Sequence, residues 1–535
     1  MRFHISRTRA LLPLLCTALW SPLHAQQHDH PARSTGALGT VHFATSCAAA
    51  VSAQFDRAVA LLHSFEFGES IREFNAVLAA DPSCAMAHWG LAMSQWSNPF
   101  SGVNRGRAQL QRGQASADAA MQVAASVTPR ERGYIAAVST LYTDHDRIDQ
   151  PSRIIAYERA MADLVAQQPT DIEAKIFHAL ALVATAPATD KTYELQRRAG
   201  ATLERLWSAQ PNHPGLAHYI IHSYDVPALA AQATAAAERY SVIAPAAAHA
   251  LHMPSHTFTR LGMWNESVRM NRRSAEAAHA TGSLAEELHA SDYLTYAHLQ
   301  MQQLPAVRAI LAGLPAIASR FDPAAITGAA PGSAGVFALA AIPARYALER
   351  RNWTDAAALV VRPSSFPHTD AMTHFTRALG QTHLKRLDDA RASIESLAEM
   401  QRRLQVAREG YWAEQVAIQH QAAQAWLTLT LGQPDSALRA LRAAADREDA
   451  TEKSAVTPGP LVPARELLGD MLMEVRRPAD ALVEYRRTLT KEPGRYRATD
   501  GALRAATAIG DRKAIAQYSA ARARLTATSP RRTSR

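Results

Sequence analysis

His218 and His222 are four residues apart, as are His252 and His256, and each member of the second pair lies 34 residues beyond its counterpart. On a helix, residues four apart share one face, with Cβ atoms about 5–6 Å from each other. Thirty-four residues is the length of one helix-turn-helix repeat. Packed helices lie about 8–10 Å apart. The spacing therefore predicts a two-by-two patch of imidazoles able to converge on one metal ion, with bonds of about 2.0–2.1 Å. Imidazole suits zinc, copper, iron or nickel. The expected cofactor is a transition metal ion: Zn, Cu or Fe.

The elements that must carry these side chains are helices. Alanine is abundant and β-branched residues are few, a composition that favours helix. From about residue 51 the chain resembles tetratricopeptide (TPR) repeats, whose pattern wants small residues where two antiparallel helices touch, a large one between them and a proline after the second. Starting at Val51, the matching residues are Ala58, Ser70, Phe74, Val77 and Pro82. Starting at Val462, they are Leu468, Gly469, Leu472, Ala481, Tyr485 and Pro493. Looser matches are Ala390, Ile394 and Leu397, and then Ala437, Leu441 and Ala444. In the middle, one repeat starts at Pro214 (Ala233, Ala237, Pro245) and the next at Ala248 (Gly262, Ser267, Ser274).

This resemblance implies an all-α, TPR-type α-solenoid, a right-handed superhelix of antiparallel helix pairs. In the family the first helix of each repeat lines the concave groove, and its positions 2, 5 and 9 face inward. His218 and His222 fall at positions 5 and 9 of one repeat, and His252 and His256 at the same positions of the next. His249 takes position 2 there, with Gly215 at the equivalent place one repeat earlier. The metal set expected is therefore His218, His222, His249, His252 and His256. Candidates for a supporting shell or a further ligand are His213, Asp225, His289 and Asp292. Pro254 lies between His252 and His256, so that helix must kink or start late. The stretch from His249 to His256, followed by Phe258 and Trp264, resembles a segment of exported bacterial TPR proteins, and so does Asn212 to His222; the resemblance implies no particular activity.

Residues 1–25 read as a secretory signal: Arg2, Arg7 and Arg9, an apolar stretch from Ala10 to Trp20, and a cleavage site at Ala25. That stretch is too short to span a bilayer, and no later segment is apolar enough to be transmembrane. The expected location is periplasmic or secreted. After cleavage, Cys47 and Cys84 remain, and an even count in an exported chain reads as a disulfide. The division expected is a lead-in over 26–50, flexible over 26–40; a His-lined solenoid over 51–325; a Gly/Ala/Pro linker over 326–336; a second solenoid over 337–525; and a basic tail over 526–535. The linker segment reads equally as a loop reaching into the groove.

The formal charge of +9 is concentrated in the arginines of the leader and tail, and no aromatic-interleaved basic stripe accompanies it, so nucleic acid is not an expected partner. The chain has no phosphate loop, no nucleophile elbow, no dinucleotide fingerprint and no His-Glu-x-x-His. Any enzyme here would assemble its site across repeats. Three functions fit: a binding or scaffold protein with a metal in its groove, a metalloenzyme acting on a groove-bound peptide or small molecule, or a plain protein-interaction module without metal.

Overall fold

The computed structural model describes Met1 and residues 36–527. The expected signal sequence after Met1, the first part of the lead-in and residues 528–535 of the tail lie outside the described residues. The described chain is an all-α TPR-type solenoid, with antiparallel helix pairs following one another and no strand among the described residues. No described helix is long and apolar enough to cross a membrane.

The first pair shows how the sequence builds a repeat. Ser52–His63 and Phe67–Ala80 bury Phe55, Ala58, Phe74 and Val77 between them. Phe65 makes the turn with φ of 57°. The next helix, Ala85–Trp96, crosses on Gly90, where an added Cβ would lie 2.2 Å from the Phe74 ring. Only glycine lets that ring and the backbone approach so closely.

The flexibility expected for 26–40 does not extend to residues 36–40. Leu38 is buried, Thr40 N–H donates to the Asn212 carbonyl at 2.9 Å, and Ala37 accepts from Ala246. Phe43 then packs among Phe55, Trp89 and Tyr134. Apolar residues at 38, 41 and 43 are enough to hold an extended segment to a helical core. Cys47 is bonded to Cys84 across 37 residues, and a loop of that length restricts the unfolded chain by about 3–4 kcal/mol. Cys47→Ser should lower the thermal midpoint accordingly, and a reducing agent should lower the midpoint of the parent chain but not of the variant.

Two segments without regular structure reach inward. Residues 326–331 lie against the N-terminal helices, just before the helix Gly332–Glu349: Gly68 donates to the Thr327 carbonyl at 2.7 Å, Asn98 to that of Ala329 at 3.0 Å, and Ala330 N–H to Glu286 at 2.8 Å. The segment between the helices Pro434–Asp449 and Ala464–Glu474 runs to Tyr293, whose hydroxyl donates to the carbonyls of Ala455 and Thr457. Arg345, fully buried, clamps it by donating to the carbonyls of Gly459 and Pro460, to Thr457 Oγ1 and to Asp292. These buried backbone carbonyls have no helical partner, so a guanidinium with five N–H groups is a fitting anchor.

Candidate metal centre

The helix Pro214–Ser223 carries His218 and His222. Its start is fixed by Pro214, whose missing N–H costs nothing at a first helical position. Pro254 splits the next groove helix into Ala248–His252 and Pro254–Arg260, with the break at Met253. The helix Leu284–Gln300 brings His289. These pieces gather six buried imidazoles, sorted into two groups of three: His218, His222 and His249, then His252, His256 and His289. Within each group the nitrogens lie within 4.8 Å of one another.

The hydrogen bonds behind the rings fix which nitrogen faces inward. His218 Nδ1–H donates to the His63 carbonyl at 2.6 Å, since a carbonyl can only accept. His249 Nδ1 lies 3.1 Å from Glu286 Oε1 and His256 Nδ1 lies 2.8 Å from Asp225 Oδ2. His252 Nδ1 donates to Asn271 Oδ1 at 2.6 Å, and the Asn271 amide is oriented by its own N–H donation to Ser267. With Nδ1 carrying the proton, Nε2 presents a bare lone pair. Such lone pairs face each other between His218 and His249 at 3.2 Å and between His252 and His256 at 3.0 Å, and His222 Nε2 lies 3.0 Å from that of His218.

A second proton on one ring would relieve such contacts, yet the surroundings oppose that charge. Burial, followed by neighbouring imidazoles, holds His218, His222, His249, His252 and His289 well below the usual 6.5. His256 is also lowered by burial, against the opposing pull of Asp225. Inward lone pairs and outward N–H groups held by oxygen are the pattern of imidazoles arranged to ligate. Each group could hold one ion with three nitrogens.

The two groups adjoin. The rings of His249 and His252 are 5.8 Å apart and those of His222 and His256 are 6.1 Å apart, centre to centre. Aromatic rings enclose them: Phe100 stacks on His222 at 4.3 Å, Tyr240 on His218 at 5.1 Å and Tyr293 on His256 at 5.1 Å. Carboxylates stand behind the imidazoles. Glu66 and Glu286 are both buried beside His249, and burial together with the neighbouring Glu286 pushes Glu66 up to about 8. Asp225 also accepts from Arg260 at 2.9 Å and Lys453 at 3.4 Å. Burial would raise Asp225, but Lys453, Arg260 and His256 keep it well below the usual carboxylate range.

The sequence expectation was one ion shared by five histidines; the structure instead places these residues in two groups, because the break at Met253 leaves His249 facing the preceding helix and His252 and His256 facing the following one. His289, expected as support or as a further ligand, lies in the second group with its ring nitrogen in reach of an ion. Asp225 supports His256. His213 stands apart, bonded to Glu173 in a separate buried group with His63. Asp292 is turned to Arg345 at 2.8 Å and makes no bond to the histidines. The space beside Gly215 is filled by His63, whose Nδ1 would lie 2.6 Å from an added Cβ. Sequence reasoning missed Glu66, Asn271, Glu286 and Lys453. Glu286 was within reach, because it lies 34 residues beyond His252 and so repeats its register.

No family model and no curated relative matches this chain. Among solved structures it is similar to the human IFIT1 dimer with m7Gppp-AAAA at 9% identity and a TM-score of 0.37, covering 83% of this chain and 90% of that one. The Cut9–Hcn1 hetero-tetramer of the APC/C gives 12% identity and 0.36, covering 85% and 76%. Yeast Tom70 gives 12% and 0.33, covering 89% and 96%. At these scores no partner, ligand or site residue is carried over from them.

Proposed function

We propose that the chain is an exported, TPR-type metalloprotein that binds transition metal ions in the histidine groups of its groove, beside a peptide, protein or small molecule held by the same surface. The observation that carries this reading is the close approach of Nε2 atoms at 3.0–3.2 Å, with His218, His249, His252 and His256 each held by a hydrogen bond at Nδ1. Two neutral rings that both carry their proton on Nδ1, as His252 and His256 do, repel unless a cation lies between them. Three protein nitrogens leave one position of a four-coordinate ion open, and an open position favours chemistry on a bound ligand over closed structural storage.

Elemental analysis of the purified full chain tests this directly. The parent should carry zinc, copper or iron, and the double variant His218→Ala, His252→Ala should lose it while keeping its helical circular dichroism. Equal metal content in a folded double variant would refute the assignment, and the surface would then be a plain interaction groove.

A further inference from the structure

Resting on the metal reading above, we propose that the two histidine groups hold a pair of copper ions that share one small oxygen ligand, and that the reduced pair binds dioxygen. Three observations point there. The donors are six neutral imidazoles, with no thiolate or carboxylate among them. Such a set suits copper, which also heads the affinity order of divalent first-row metals for nitrogen sites. Second, each group leaves an open position, and the groups adjoin through His249 and His252 and through His222 and His256. A ligand of one or two atoms seated between them would complete both ions.

Third, charge selects the oxidation state. Neutral donors do nothing to cancel the repulsion between two cations. Two monovalent ions repel with about a quarter of the energy of two divalent ions at the same separation. The carboxylates of Glu286 and Asp225 sit one imidazole away from the ions, bonded to His249 and His256, so they balance charge without occupying a coordination position. A pair of copper(I) ions is thus the state the empty fourth positions accommodate best. On meeting dioxygen, each copper(I) gives up one electron and becomes copper(II). The dioxygen takes both electrons, its O–O bond falls from double to single, and the resulting dianion supplies the bridging charge that the histidines lack. No proton moves and no other reductant is consumed. The rings of Phe65, Phe100, Tyr240 and Tyr293 wall the site and keep bulk water from displacing the bound molecule.

The test loads the full chain anaerobically with copper(I), counts copper per chain, then measures dioxygen uptake and the copper(II) electron paramagnetic resonance signal. The expected result is two copper ions per chain, one dioxygen taken up per pair, and a largely silent spectrum, because two unpaired electrons coupled through a shared ligand cancel. His289→Ala should leave one copper per folded chain, no uptake and a full signal after oxidation. Two copper ions in the parent with no uptake and a full signal from two independent ions would overturn the shared ligand while leaving the metal reading intact. Failure to retain any copper, zinc or iron would instead remove the metal reading itself.

Discussion

Arg345→Met should destabilise the protein by about 3–5 kcal/mol, the usual cost of leaving one member of a buried ion pair alone. Arg345 has no solvent exposure and faces Asp292 through two nitrogens, at 2.8 and 3.3 Å. Methionine fills much of the same volume, so the effect isolates charge and hydrogen bonding from packing. Burial already raises Asp292, and the guanidinium opposes that; without it the carboxyl should take up a proton. The second consequence is local. The Pro460 carbonyl loses its donor, and the Gly459 carbonyl and Thr457 hydroxyl keep only their bonds to each other's residue, so the segment carrying Lys453 should open. Hydrogen exchange over residues 450–463 should accelerate far more than over the Leu284–Gln300 helix. Adding Asp292→Leu removes the orphaned acid and should restore part of the stability, but not the protection of the segment, which still lacks the guanidinium's bonds to Thr457, Gly459 and Pro460. Full restoration of both would show that the clamp acts through the ion pair alone.

How much of this was legible in the sequence follows from what each feature depends on. The repeat register is a local, periodic property, so the placement of His218, His222, His252 and His256 side by side on the helices of consecutive repeats could be read from spacing. So could the bond between Cys47 and Cys84, from their number and context. What could not be read is the division of the histidines into two groups. That depends on a few degrees of helix direction at Met253, where Pro254 removes one N–H from the ladder. The sequence marks the break but not which way each half turns. The inward segments were harder still. Pro and Gly in residues 326–331 and 450–463 signal departure from helix, yet their seating is set by single distant partners such as Glu286, Asn98 and Arg345. Lys453 looks like an ordinary surface lysine in the sequence, yet its side chain is only 5% exposed and is turned to Asp225.

Asp225→Asn should separate the two ion sites from each other. Asp225 accepts from His256 Nδ1, Arg260 Nε and Lys453 Nζ, all nearly buried. An amide offers one acceptor oxygen where the carboxylate offers two, and its NH2 would face a donor. Two cations then lose a shared counter-charge, Arg260 keeping only Glu452 at 4.0 Å, a loss of about 3–5 kcal/mol. Lys453, already lowered to about 8 by burial, should deprotonate and so limit that loss. For the metal, the effect should fall on the second group alone. His256 loses the anionic partner that orients its ring and raises its basicity, which costs about 10–100-fold in affinity. The first group keeps the His63 carbonyl and Glu286, so a competition titration should show one weakened and one unchanged site. Glu286→Gln should give the mirror image, weakening the site of His218, His222 and His249. If either substitution weakened both sites equally, the six imidazoles would act as one coordination unit, and the partition into two groups of three would have to be abandoned.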